Sequence, residues 1–453
     1  MKEFSVVFKE GFKKGLWQHE RTPRNNETLS VCYNLKPAEG GLRAYDNAYN
    51  RLTNPLSAVG VVIDWPFPQV FIGQDVRVLA TATKIYEVSS GWAITEKLTV
   101  TENERWDFID FGSYIILTNG TKLCIRDYAG AWTANDYTST IPRFATGCNY
   151  NGQIVAGNIK STWHGCGSGS LIWSRIGQVD FTPGGDNEAG FRNIPWEGGV
   201  LRTKKLGKGV MVYCENGVGV LLPHAQTWGF KELMDVGLDF KGALGGSENV
   251  HLFMGRDRNL YRVNAKYEIQ RLGYRNLLYN EPQDYVVIEH DPLRREFHIS
   301  GDETYVLTEY GMATCRQRKM STIFSINRSS YGVSSDVEDD TAYIVTDPMD
   351  FGLRGMKTIQ TIELSGEWGD ADDSIEAAIG IYTRNDASGS WTFGPYGMVN
   401  PNGVFSMPAT GVEFIIVILF SDYGNNTEVT LDSMTIRVKL SDKRYVRGIY
   451  NVA

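Results

Sequence analysis

The chain has 453 residues, room for one large domain or two to three ordinary ones, which excludes a small disulfide-stapled scaffold. A hydrophobic fraction of 42% excludes intrinsic disorder, and 48 glycines with 12% aromatic residues favour strands punctuated by turns. With 45 Lys+Arg against 53 Asp+Glu, the net charge of −8 opposes a broad basic surface that grips nucleic acid.

Residues 1 to 60 read as an irregular N-terminal arm and entry strand, with Pro23, Pro37 and Pro55 opposing long helices. The start of the chain lacks the apolar core of a secretory signal, and the longest apolar run, Phe414 to Phe420, is too short to span a bilayer, so no membrane insertion and assembly in a cytoplasm are expected. From about residue 70, short runs of β-branched and aromatic residues are closed by Gly or Asn-Gly, the pattern of consecutive antiparallel hairpins. Val76–Val88 runs to Ser89-Ser90-Gly91, and Ser113–Thr118 reaches Asn119-Gly120 before Lys122–Arg126. Gln153–Ala156 follows Asn151-Gly152, Gly209–Cys214 precedes Asn216-Gly217, and Val250–Met254 precedes Asp257–Arg262.

This unit returns about every 40 residues without a WD or kelch consensus, which points to a β-propeller over 61–345, with a pair of β-sandwiches as the other architecture built from such strands. Near Thr346–Gly352 the composition changes and cleaner alternation begins at Lys357–Leu364. Residues 346–453 hold 14 Asp+Glu and 8 Lys+Arg, net −6, which leaves net −2 for the rest. Ile375–Tyr382, Val412–Phe420 and Leu431–Leu440, with turns at Asn402-Gly403 and Tyr423-Gly424-Asn425, read as a C-terminal β-sandwich. The expected class is all-β.

Signals of chemistry are weak. The six cysteines (Cys32, Cys124, Cys148, Cys166, Cys214, Cys315) are far apart and read as buried thiols, with His164-Gly-Cys166 the one hint of a metal. None of the six histidines has zinc-protease spacing. Gly165–Ser170 holds an offset Gly-x-Ser-x-Gly without the strand before and helix after that a nucleophile elbow needs, and reads as a glycine loop. The acidic runs Asp336–Asp340 and Asp370–Asp373 sit in turns, where consecutive carboxylates are solvated rather than paired across a cleft. Thr383–Trp391 is similar to a sialidase Asp-box turn, but its glycine is two positions late and it occurs once, so it reads as an ordinary hairpin with Trp391 filling the core. No enzyme, metal or cofactor is expected.

Two stretches carry a family resemblance. Leu171–Phe181, with Trp173-Ser174 and Gly177 to Phe181, leads to Gly198–Leu221, with the turn Glu215-Asn216-Gly217, and Cys32–Tyr45 stands before the first hairpin as an Asn-bearing strand followed by Gly-Leu-Arg. This order resembles the propeller-type tail nozzle and packaged-DNA stabilisation proteins of short-tailed phages. The resemblance covers most of the chain in layout, the C-terminal strands ending in Asp442–Arg447 being compatible with it. It implies a structural virion protein of the tail that forms a ring, commonly a hexamer, below the head-to-tail connector. Implied partners are further copies of itself, the adaptor ring, tail spike, fibre or needle proteins, and double-stranded DNA that passes without sequence readout. A wall without excess cation lets phosphate slide, in keeping with the charge. Lys9, Lys13, Lys14, Arg21 and Arg24 are the expected interface strap, and Trp65 and Phe67 the expected contact anchors, with core packing equally open for the two aromatics. The competing reading is a carbohydrate-binding or carbohydrate-active propeller with an accessory sandwich, and a host-surface adhesin is a third.

Overall fold

The computed structural model describes residues 3–17, 28–45, 52, 54–56, 60–61, 66–100, 104–134, 137–224, 227–281, 286–315, 318–336, 341–353, 355–368, 376–386, 388–421 and 429–441. The chain divides into two compact units, Leu52–Asp302 with Lys319–Ser335, and Met1–Arg51 with Glu303–Arg318 and Asp336–Ala453.

The first unit is a β-propeller. Five four-stranded antiparallel sheets follow one another in sequence, their first strands being Gln69–Ile72, Asp107–Phe111, Phe144–Tyr150, Val200–Leu206 and Leu244–Gly246. Two hairpins, opening with Val287–Asp291 and Arg318–Ile326, occupy the two remaining positions. The turns read from sequence are the hairpin turns of these sheets. Asn151 and Gly152 take positive φ of 51° and 84° between paired strands, the geometry that a two-residue hairpin loop requires. Val76–Val88, however, is not one strand: a turn at Thr81–Thr83, closed by the Thr81 hydroxyl accepting from Lys84 N–H at 2.9 Å, splits it into Arg77–Ala80 and Lys84–Val88.

Buried residues at alternate strand positions pack each sheet against the next. Ile109, Ile116 and Leu123 of the second sheet meet Phe144, Ile154 and Ile172 of the third, and Val155 and Leu171 of the third meet Val200 and Val212 of the fourth. Polar pairs one sheet apart add to this. Trp106 N–H donates to Gln69 Oε1 at 2.8 Å, Asn149 Nδ2 to the Asp110 carbonyl at 2.8 Å, and Arg126 Nε to Glu87 Oε1 at 2.8 Å. The ring closes where Ser321 Oγ donates to the Pro68 carbonyl at 2.7 Å and Phe324 and Val333 pack on Val70 and Leu79.

The second unit is a β-sandwich. In one sheet the long strand Thr430–Leu440 pairs with Lys357–Glu367 on one side and with Glu3–Phe8 and Leu42–Ala44 on the other. In the other sheet, Leu29–Tyr33, Ala342–Thr346, Glu413–Phe420, Ala377–Arg384 and Thr392–Met398 lie in that order. Burial alternates along the strands, as a half-buried sheet demands: Ile359, Ile362 and Leu364 on one strand, Phe414, Ile416, Ile418 and Phe420 on another.

These units revise the three-segment division expected from sequence. The described residues 3–17 and 28–45 are not a separate arm: they contribute strands to the sandwich and the short helix Glu10–Lys14. Residues 303–318 and 336–345 also belong to the sandwich rather than to the propeller. The physical reason is pairing: Tyr343, Ile344 and Val345 are hydrogen-bonded between Tyr33, Cys32 and Val31 on one side and Leu419, Ile418 and Val417 on the other.

Candidate functional site

Of the expected interface residues, Lys9 and Lys14 are exposed at the two ends of the short helix, and Lys13 is 3.7 Å from Glu10 one turn earlier. Phe67 is a correction: it is 4% exposed and packs in the propeller core with Val78, Ile85, Trp106 and Leu117, so it cannot anchor a partner. Its flanking prolines make it look like a loop aromatic in sequence. Arg21, Arg24 and Trp65 lie outside the described residues, as do most of the two acidic runs, the Tyr423-Gly424-Asn425 turn and Asp442–Arg447.

The motif residues behind the family resemblance have structural work. Trp173 and Phe181 are buried, and Ser174 Oγ accepts from Ile154 N–H at 3.0 Å. Gly217 is required by close approach: a Cβ there would lie 2.1 Å from the Trp196 ring. Gly165–Ser170 is a structural loop, in which Ser170 Oγ accepts from Gly167 N–H and donates to Asn193 Oδ1. None of the six cysteines is in a disulfide and four are buried, and no cluster of metal-ligating side chains occurs among the described residues. Trp391 is half-buried under the Arg384 guanidinium, 4.6 Å from its ring centre.

Two places stand out, one on each unit. In the sandwich, Thr392–Met398 is a sheet edge, paired among the described residues only with Ala377–Arg384. Its sequence, TFGPYGM, carries no charge, and Phe393, Tyr396 and Met398 are 53%, 51% and 47% exposed. The Phe393 ring rests 4.9 Å from Tyr382 and 6.3 Å from Tyr396, over Gly380, whose missing side chain leaves space for it. Pro395 blunts this edge against strand addition, so what it offers is its uncharged, exposed apolar side chains, which mark a contact surface.

In the propeller, the first strands of all seven positions line an axial cavity of about 370 Å³. Alternation along these strands sends charged side chains inward. Asp107, 3% exposed, accepts from Thr146 Oγ1 at 2.5 Å and lies 3.1 Å from Arg202 Nη2 and 3.8 Å from Lys241 Nζ. Burial pushes this carboxyl up, but the two cations outweigh burial and hold it below the ordinary carboxylate value. Arg105 donates to the Pro66 and Ser321 carbonyls, both at 2.8 Å, and to Glu289 Oε1 at 2.7 Å, tying three radial positions together. Burial pushes Glu289 up against the pull of Arg105. Cys148 also lines the cavity, its thiol driven to about 12 by burial and the Asp107 charge, so it stays protonated and unreactive.

Lys204 differs from its neighbours. It lines the cavity, yet among the described residues its ammonium has no ion pair and no hydrogen bond. Burial and the adjacent Arg202 charge pull it down to about 8. Sequence reasoning missed this cluster, because Arg105, Asp107, Arg202, Lys204 and Glu289 read as ordinary charges on alternating strands. The signal that finds them is a charge at the first strand of successive units.

Two histidines beside this cluster give the fold a pH dependence. His251 is fully buried, with Nδ1 2.8 Å from Tyr213 Oη and Nε2 donating to the Lys205 carbonyl at 3.1 Å. Burial and the Lys204 charge hold it well below the ordinary imidazole value and bring His290 down to about 4. Below about pH 6.5 the unfolded chain therefore binds protons that the folded chain refuses. The stability these groups contribute is whole above that pH and is lost as pH falls toward 4, with Glu289 acting in the opposite sense. Urea midpoints are expected to fall from pH 7 to pH 5, and His290→Gln to flatten that fall; an unchanged pH profile in the variant would refute the assignment.

The fold and the axial site define a β-propeller protein with a second, sandwich unit. No known family model and no curated protein matches the chain. Among solved structures it is distantly similar to PorZ of Porphyromonas gingivalis, at 12% identity over 61% of this chain and 35% of that one, TM-score 0.35. It is also similar to BamB from Moraxella catarrhalis (11% identity, 59% and 79% covered, TM-score 0.38) and to the Neurospora crassa Pan2 WD40 domain (7%, 62% and 86%, TM-score 0.36). The chain spans about a third of the length of PorZ.

Proposed function

We propose that the chain is a structural subunit of a short-tailed phage tail, a nozzle or DNA-stabilising plug whose copies assemble into a ring below the head-to-tail connector. The observation that carries the reading is the uncharged apolar edge Thr392–Met398 with Phe393, Tyr396 and Met398 exposed, a surface suited to burial against another copy of the chain. The resemblance in Trp173-Ser174, Gly177–Phe181, Glu215-Asn216-Gly217 and Cys32–Tyr45 supplies the kind of assembly, and these residues have defined structural places. The net charge of −8 supports a wall that repels phosphate and so lets DNA pass.

Negative-stain images of the purified chain, alone and with the connector ring, are expected to show rings with a central hole. Replacing Phe393 and Tyr396 together by Glu should leave monomers with an unchanged melting temperature. Persistent wild-type monomers under both conditions, or rings unaffected by the double substitution, would overturn the reading.

A further inference from the structure

We propose that the axial cavity of the propeller binds one small divalent oxyanion of the sulfate and phosphate class, held by the Lys204 ammonium and the free Nε of Arg202. This inference is independent of the tail reading.

Three observations carry it. The first is charge: Arg105, Arg202 and Lys204 line the cavity against the two carboxylates Asp107 and Glu289, with Lys241 3.8 Å from Asp107. This positive surplus stands inside a chain whose net charge is −8, so it is a local inversion rather than a general property of the molecule. His251 and His290 are neutral at pH 7 and add nothing. The second is unmet hydrogen bonding. Arg202 Nη2 forms an ion pair with Asp107 Oδ1 at 3.1 Å without a hydrogen bond, and the Lys241 and Leu244 carbonyls accept from Nη1, but Arg202 Nε is buried without an acceptor. The half-buried Lys204 has no acceptor on the protein among the described residues, and a buried cationic donor such as Arg202 Nε is costly to leave unmet. The third is space: about 370 Å³ is room for roughly a dozen waters at ~30 Å³ each, or for a tetrahedral anion with a few of them.

A divalent oxyanion answers the positive surplus, offers acceptors to Arg202 Nε and Lys204, and is small enough for a cavity walled by seven strands. Arg105 is not part of the site: its donors are already committed to Pro66, Ser321 and Glu289.

Isothermal titration of the full chain with sodium sulfate, at constant ionic strength and pH 7, tests this. Saturable binding of one sulfate per chain is expected. Lys204→Gln should weaken it tenfold or more and Lys204→Arg restore it to within about threefold, as expected for a charge-assisted contact. Lys205→Gln, whose parent pairs with Glu248 at 2.9 Å, should leave it unchanged. Sulfate stays divalent at high pH, and the groups facing Lys204 besides Arg202 are Asp107, Glu289, Arg105, Lys241, His251, His290 and Cys148. Burial holds Lys204 at about 8 and Lys241 below the ordinary ammonium value, so positive charge is lost as pH rises and sulfate affinity should fall between pH 7 and 9.5. Absence of saturable binding, equal affinity in Lys204→Gln, or a flat pH profile would each overturn the proposal. If Lys204→Gln fails to fold, wild-type crystals soaked in selenate decide: anomalous density beside Lys204 supports the site, and its absence there refutes it.

Discussion

Asp107→Ala is expected to destabilise the propeller by about 3–5 kcal/mol, because it strips two buried cations of their shared counter-ion. Arg202 Nη2 and Lys241 Nζ both rely on Asp107 Oδ1, and Thr146, whose hydroxyl donates to Oδ2, also accepts from Thr203 N–H at 2.9 Å. The carboxylate thus joins the second, third and fourth sheets at the axis. In thermal melts the shift should be on the order of 10 °C for a unit of this size. Asp107→Asn keeps the shape and the acceptor for Thr146 but not the charge, and should lose less. A loss under about 1 kcal/mol in the alanine variant would show that the cations find other partners. The sign with pH follows from the lowered carboxyl value. The contribution is complete above about pH 4, the ordinary carboxylate range, and disappears as pH falls through the lower native value.

Lys357→Met is expected to cost about 3 kcal/mol in the sandwich, although it conserves size and adds apolar character. Lys357 is fully buried, and its ammonium donates to three carbonyls, those of Leu353 at 2.7 Å, Gly355 at 3.1 Å and Val412 at 2.6 Å. Methionine leaves all three without this partner. Guanidinium melts measure the loss, and hydrogen exchange should locate it in Lys357–Glu367 and the Ala409–Gly411 strand that pairs with its start. Wild-type stability in the variant would mean that water replaces the ammonium.

Much of the propeller was legible from residues alone, because each hairpin closes on a turn whose chemistry is local: Asn151-Gly152 needs positive φ, and Asn119 caps its own turn by accepting from Thr121 and Lys122 N–H. The boundary near residue 346 was misplaced because Ala342–Thr346 is held by partners far away in sequence, which no local pattern reveals. Glu3–Phe8 was unreadable as a strand for the same reason: its ladder lies with Met434–Lys439. Phe67 was open between surface and core because loop chemistry around it says nothing about which face it turns inward. The axial charges, finally, look like solvated strand faces until the ring closes around them.

The ladder between Glu3–Phe8 and Met434–Lys439 has a temporal consequence. A ribosome delivers Glu3–Phe8 long before Met434–Lys439, so the earlier strand must wait, unsatisfied, while the intervening blades emerge and condense. The sheet with Thr430–Leu440 at its heart can be completed only after that strand has left the ribosome.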